Sequence, residues 1–346
     1  MQIEENKPLA PLTTLGVGGP ARYFLKARSE EEILEGCAWA QKRNLPLFIL
    51  GGGSNLVVAD QGFNGLVLHM ALGGITTSSR GPRHEVVRAA AGEDWDAFVQ
   101  RAVEANCAGI ECLAGIPGTV GGTPVQNVGA YGQEVASVID CVQAFDLLER
   151  KFTEFSAAEC GFTYRRSRFN STYRNRYIVT RVDFQLERGG APTLKYADLR
   201  HLFPAETSPT LVQVAAAVRR IRQSKGMLLV PGDPDCRSAG SFFKNPVVPA
   251  EVVHTIATAA GKEPPTFPAG DPSSVKLPAA WLIEQAGFAK GYTHGAAGIS
   301  SRHTLALVNR GSATAAEILA LAAEVRTAVA AKFGVQLEME PVLVGF

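Results

Sequence analysis

A chain of 346 residues with 46% hydrophobic and 19% charged side chains can bury a substantial interior and divides into two or three domains, a composition that excludes a disordered or fibrous protein. Lys and Arg number 34 against 33 Asp and Glu, so no overall field favours nucleic acid or an anionic membrane, and an anionic ligand needs a local basic cluster. The six cysteines, Cys37, Cys107, Cys112, Cys141, Cys160 and Cys236, form no Cys-x-x-Cys pair, which argues against a metal site or a disulfide framework and for a reducing cytoplasm.

The opening MQIEENKPLAPLTTLG carries early acids and no apolar segment, and no run of about 18 apolar residues follows. The chain reads as unexported and non-membrane. From Ser29, SEEEILEGCAWAQKRN begins with an N-cap and acids and places Ile33, Leu34, Cys37 and Ala38 at helical spacing. Pro46 admits a short apolar strand, Leu47 to Leu50, which ends on Gly51, Gly52, Gly53, Ser54 and Asn55 before a second apolar stretch, Leu56 to Ala59. Gly73 to Arg83 reads as a turn-rich crossing, Glu85 to Ala91 as a strand and Trp95 to Glu104 as a helix. Glycine turns return in LAGIPGTVGGTPVQNVGAYG, and strands alternate with turns to about Leu186. Leu211 to Ser224 is an amphipathic helix, and the following PGDPDCRSAG is incompatible with regular structure. A third αβ region contains the helix Ala279 to Ala286, and the helix Thr314 to Phe333 leads to a final strand.

After a strand, GGGSN can act as a nest of peptide N–H groups aimed at a phosphate, because glycine reaches positive φ and carries no Cβ. Alone it fits a plain tight turn equally well. It lacks the Gly-Lys-Ser/Thr of a Walker loop, and TLGVGGPA follows no strand, so neither the P-loop nor the dinucleotide fingerprint is met. The second loop adds Gly115, Ile116, Pro117, Gly118 and Gly122, followed by Gln126, Asn127, Gly129, Ala130, Tyr131 and Gly132. Amide side chains and free backbone groups suit a pyrophosphate and the mixed donors and acceptors of a flavin edge.

The segments TTLGVGGPARYF, LGGGSNLVV, LAGIPGTVGGTPVQNVGAYG, FTYRRSRF, AGSFFKNP, SVKLPAAWLIEQAG and LEMEP occur in this order from about Thr13 to the C-terminus. Their order and spacing resemble the UDP-N-acetylenolpyruvoylglucosamine reductase family. The resemblance implies an α+β fold, a two-domain FAD-binding unit of the vanillyl-alcohol-oxidase type plus a third αβ substrate-binding domain. The expected boundaries are 1–72, completed by 330–346, then 73–225 and 226–329. It also implies FAD bound non-covalently, since no histidine occupies the attachment position, with NADPH as hydride donor and UDP-N-acetylglucosamine enolpyruvate as substrate. No metal, nucleic acid, membrane or obligatory protein partner is implied.

The implied reaction adds hydride to the terminal carbon of a vinyl ether and a proton to the carbon bearing oxygen and carboxylate, so charge builds on that carboxylate. Arg165 in FTYRRSRF matches the family arginine, a rigid fork for a carboxylate. Without the motif, Arg165, Arg166 and Arg168 read as a solvated strand edge. Glu340 in LEMEP matches the family glutamate, which as a largely buried, neutral acid would donate to the growing enediolate. Ser241 in AGSFFKNP matches the family proton donor; without the motif it is a turn serine. By the same resemblance Tyr196, Lys225, Asn245 and Gln285 contact substrate, Lys225 at the diphosphate and Gln285 at the uridine. The chain departs from some relatives in a longer loop between Lys225 and Ser241 and in Phe267, where they carry a tyrosine. A flavoprotein oxidase of the same fold is the alternative enzyme, and a flavin or nucleotide-sugar carrier the non-catalytic one.

Overall fold

The computed structural model describes residues 1–346. Two compact units emerge: residues 1–7, 21–53 and 64–224 form the first, and residues 8–20, 54–63 and 225–346 form the second. No helix is long and apolar enough to cross a membrane.

The first unit contains a four-stranded sheet in the order Ile3–Pro8, Pro20–Ala27, Phe63–Met70, Leu47–Leu50. Beside it runs the helix Glu30–Lys42, whose first turn is fixed by Ser29 accepting the Glu32 amide at 3.2 Å. Gly36 lets that helix approach Leu25, whose Cδ2 lies 2.5 Å from where a Cβ would stand. A six-stranded antiparallel sheet has Tyr177–Arg188 at its centre, paired with Ile139–Asp146, His84–Ala90 and Cys107–Ala108. Helix Trp95–Glu104 packs on it and helix Leu211–Ser224 packs in turn on that helix, both with the amphipathic spacing of their sequences. Trp95, Phe98 and Phe184 are fully buried together, with Phe98 and Phe184 ring centroids 4.9 Å apart.

The crossing between Gly73 and Arg83 differs from the sequence expectation, because Ile75–Ser79 is a strand paired antiparallel with His84–Ala90. Four of its five residues are exposed. An edge strand with no buried face shows no alternation of apolar and polar residues to read.

Asp146 ends the strand Ile139–Asp146 and is buried. Arg176 reaches it at 2.7 Å, and its Oδ1 accepts the Leu148 and Glu149 amides of the following turn. Arg176 first, and then those amides, hold its carboxyl below the ordinary 3.8. A depressed carboxyl contributes stability that is present above 3.8 and is lost as pH falls through the lowered folded-state value. Asp146→Asn is therefore expected to cost roughly 1 to 3 kcal/mol at neutral pH, the range for hydrogen bonds to a charged group, because Arg176 stays partly open to solvent. Urea melts should show the gap from wild type closing in acid, and a pH-independent gap would contradict the assignment.

In the second unit the helix Ala315–Phe333 buries Ile318, Leu321, Ala322, Val325, Val329 and Phe333 along one face. Thr314 and Glu317 form a capping box at its start, and Asp60 accepts the Ala315 and Ala316 amides at 2.7 and 3.0 Å. The helix packs on an antiparallel sheet of Thr293–His294, Ala297–Ile299 and Leu307–Asn309. Val342–Val344 pairs in parallel with Leu56–Val58. Asn309 is buried and fully used, donating to the Leu15 and Gly16 carbonyls and accepting the Gly311 and Ala313 amides. The glycines of TLGVGGPA have a packing reason. A Cβ at Gly19 would strike the Asp60 carbonyl, and one at Gly18 would strike Val58.

Candidate active site

In the first unit Gly51 and Gly52 of the first glycine loop meet the second loop at Gly118 and Thr119. A Cβ on Gly52 would stand 2.5 Å from Gly118 Cα, and one on Gly51 would stand 2.9 Å from the Thr119 hydroxyl. Gly118 adopts φ +135° and its carbonyl accepts the Trp95 amide at 3.1 Å, which ties the loop to the start of the helix Trp95–Glu104. Gly115 is gripped on both sides: its N–H donates to Asp96 at 2.6 Å and its carbonyl accepts Arg222 Nε at 3.0 Å. Asp96 is in turn paired with Arg219 at 2.6 Å. Burial pushes the Arg222 guanidinium down in pKa, while Tyr131 and Asp96 beside it act in the opposite direction.

Gly129–Ala130 pairs with Gln133–Glu134, leaving Tyr131 and Gly132 at φ +49° and +86° as a two-residue hairpin turn. A tyrosine is strained there, because Cβ crowding costs a non-glycine residue about 1 to 2 kcal/mol in the left-handed region. Its ring stands edge-on to Tyr196, centroids 5.1 Å apart. Asn127 is buried, also at positive φ, and its amide is spent on Glu134, the Thr163 carbonyl and the Ala136 amide.

Arg165 occupies a tight turn closed by reciprocal bonds between Thr163 and Arg166, and it too is left-handed, at φ +54°. Its Nη2 donates to the Gly129 carbonyl at 2.7 Å and its Nη1 to the Asn127 carbonyl at 3.5 Å. Arg166 is exposed, and Arg168 lies over the Tyr173 ring at 5.8 Å. The structure thus separates Arg165 from its neighbours: it alone of the three combines a strained backbone with a contact to the glycine loop.

In the second unit, segments Phe242–Lys244 and Glu338–Glu340 run antiparallel. Phe243 bridges Met339, the Glu340 amide donates to the Phe242 carbonyl at 3.0 Å, and the Lys244 amide donates to the Glu338 carbonyl at 2.9 Å. Ser241 adjoins this ladder, half-buried, directly before the residue bonded to Glu340. Glu340 is half-buried too. Asn55 Nδ2 donates to the Glu340 carbonyl at 3.2 Å, and the Val342 amide donates to the Asn55 carbonyl. Thr14 Oγ1 links the carbonyls of Ser54 and Ser238, at 3.4 and 2.6 Å.

Asn245 Oδ1 accepts the Ala279 amide at 2.9 Å, capping the helix Ala279–Gln285 and leaving its Nδ2 to offer. Gln285 ends that helix, and Lys332 donates to its carbonyl at 2.6 Å. Lys225 lies with Lys290 beside His303; burial first, and then these two cations, depress that imidazole to about 4.

Residues 233–344 match the family described as UDP-N-acetylenolpyruvoylglucosamine reductase, C-terminal domain, and residues 21–151 match the FAD binding domain. The UDP-N-acetylenolpyruvoylglucosamine reductase of Thermobifida fusca is 47% identical over 98% of this chain and 97% of its own length. That of Streptomyces coelicolor is 47% identical over 100% of this chain and 91% of its own. The chain belongs to the UDP-N-acetylenolpyruvoylglucosamine reductase family. The crystal structure of UDP-N-acetylenolpyruvylglucosamine reductase from Thermus caldophilus matches with TM-score 0.68 and 29% identity, covering 99% of each chain.

The glycine loops fit the FAD of this reductase family. At Gly122 nothing lies within 4 Å of the position a Cβ would take, so a ligand can approach the peptide itself. Arg222 and Asp96, which brace Gly115, escape sequence reading. Arg222 lies on a helix that shows only amphipathic spacing, and its partner is 107 residues away.

Proposed function

We propose that this chain reduces UDP-N-acetylglucosamine enolpyruvate to UDP-N-acetylmuramate with NADPH and bound FAD, a step of peptidoglycan precursor synthesis. The observation that carries the reading is the ladder joining AGSFFKNP to LEMEP, which puts Ser241 beside the residue bonded to Glu340. Near-full-length identity to named reductases supports the same substrate.

When bound, FAD supplies a hydride acceptor for NADPH and a hydride donor for the vinyl ether. Gly51 to Asn55, Gly115 to Gly118, Gly122, Gln126, Asn127 and Gly129 to Gly132 are the residues proposed to hold it. The chain's own part is to bind and orient the substrate and to move one proton. Arg165 presents a fork to the carboxylate, already pre-set by its bonds to the Gly129 and Asn127 carbonyls. Ser241 gives its hydroxyl proton to the carbon bearing the carboxylate, and Glu340 offers a hydrogen bond to the enediolate oxygen. Lys225 faces the diphosphate; Asn245 offers Nδ2, Tyr196 its ring and hydroxyl, and Gln285 contacts the uridine.

The same reading divides the chain at 1–72 with 330–346, 73–225 and 226–329. It places the enzyme in the cytoplasm, which the six free cysteines support.

The test is NADPH loss at steady state with purified protein and the enolpyruvyl nucleotide. Consumption that depends on that nucleotide, with muramate formed, is expected. Oxygen uptake with an alcohol or sugar would instead mark an oxidase, and flavin binding without NADPH loss a carrier. A further expectation concerns attachment: neither glycine loop carries a histidine, so acid precipitation should leave the yellow colour in the supernatant. Colour retained by the denatured protein would show a covalent link.

A further inference from the structure

The loop 226–240, which separates Lys225 from Ser241, contains one three-residue 3-10 turn, Pro234–Cys236, and no other regular element. It is nevertheless pinned at nearly every step. Asp235 is buried; its Oδ1 accepts the Ser301 amide at 3.1 Å, and its Oδ2 accepts the Ser301 hydroxyl at 2.6 Å and Arg302 Nε at 3.0 Å. Arg302 Nη2 reaches Asp233 in addition, so a single guanidinium clasps two carboxylates of the loop. Cys236 Sγ donates to the Leu228 carbonyl at 2.8 Å and accepts the Val230 amide at 3.3 Å, drawing the two limbs together.

Both ends of the loop feel this clasp. At the start, Gly226 takes φ +66°, and a Cβ there would stand 3.1 Å from Asp235 Cβ and 3.2 Å from Arg302 Nε. Lys225 is therefore anchored through its neighbour. At the end, the Arg237 carbonyl accepts the Asn309 amide, Ser238 bridges Val308, and Gly240 leads into Ser241. A buried carboxylate persists only when paired and hydrogen-bonded, and the fork geometry of such a pair fixes direction as well as charge.

We propose that Arg302, through Asp233 and Asp235, is a positioning residue for the reduction, holding Ser241 and Lys225 in register at the two ends of one loop. The proposal rests on the function given above. Arg302 itself touches no reacting atom in this scheme. It acts through Ser241 on the chemical step and through Lys225 on nucleotide binding.

The test uses the full-length, FAD-loaded enzyme and compares wild type, Arg302→Lys, Ser241→Ala and the double variant. Arg302→Lys keeps the charge but not the fork. It is expected to lower kcat for the enolpyruvyl nucleotide by about 10-fold to 100-fold, the effect of a misplacement of roughly 1 Å, and to raise KM. NADPH oxidation with ferricyanide as acceptor should be unchanged. In the Ser241→Ala background, Arg302→Lys should lower kcat no further, because residues acting as one unit are non-additive. Amide hydrogen exchange supplies a reading independent of activity: residues 227–240 should exchange faster in Arg302→Lys while the helix Ala315–Phe333 is unchanged. If Arg302→Lys fails to fold, Asp233→Asn removes the outer half of the clasp and carries the same expectations. Wild-type kcat in the variant, an equal fall in the ferricyanide rate, or full multiplication of the two defects would each overturn the proposal. A wild-type enzyme unable to reduce the nucleotide would instead remove the functional reading on which it stands.

Discussion

Ser241→Ala is expected to leave the flavin absorption spectrum and its bleaching by NADPH close to wild type while turnover of the enolpyruvyl nucleotide collapses. The two observables separate because delivery of hydride from NADPH moves no proton onto substrate carbon, whereas saturating the vinyl ether does. Ser241 lies in the second unit, next to the ladder that carries Glu340. Removing a general acid costs about 10²-fold to 10⁴-fold, at the upper end when no other group stands in. Ser241→Cys should recover part of the rate, since a thiol also carries a transferable proton. Rapid-mixing absorbance at the flavin band reads both phases in one instrument, and equal slowing of both would show Ser241 to be a structural residue.

The parts of this molecule that sequence discloses are those set by local rules. Helices Trp95–Glu104 and Leu211–Ser224 follow from apolar spacing, and Ser29 and Thr314 from cap chemistry followed by acids. Ile75–Ser79 escapes because an exposed edge strand has no periodic face. The loop 226–240 is legible as irregular and illegible as ordered. Its order comes from Asp233 and Asp235 meeting Arg302, 69 and 67 residues away, and no local pattern encodes that meeting. His303 is similar, since its depressed pKa comes from burial and from Lys225 and Lys290, far from it in sequence or in another turn. Among the candidate residues, composition gives no reason to prefer Arg165 over Arg166 or Arg168. The resemblance selects it, and the backbone then supplies a physical reason in its left-handed φ and its two bonds to loop carbonyls.

That backbone sets the expectations for Arg165. A left-handed turn position favours glycine, so an arginine there carries about 1 to 2 kcal/mol of backbone strain, and strain of this kind concentrates where a site needs a particular side chain. Arg165→Gly should therefore fold without difficulty, because relief of that strain offsets much of the loss of the bonds to Gly129 and Asn127. Its melting temperature should stay within a few degrees of wild type, a shift corresponding to roughly 1 kcal/mol. Activity should behave otherwise. Loss of the fork that meets a carboxylate gaining charge is expected to lower kcat by about 10²-fold to 10³-fold, as removal of one oxyanion donor does. Arg165→Lys should recover only a small part of this, since a point charge cannot reproduce two parallel bonds to a carboxylate. Arg166→Ala, at an exposed position, should keep wild-type turnover. Steady-state kinetics with the enolpyruvyl nucleotide, run beside thermal melts of the same four proteins, separate these effects. An Arg165→Gly variant that loses stability and activity together would mean the residue serves the turn, while one that keeps its activity would remove Arg165 from the chemistry.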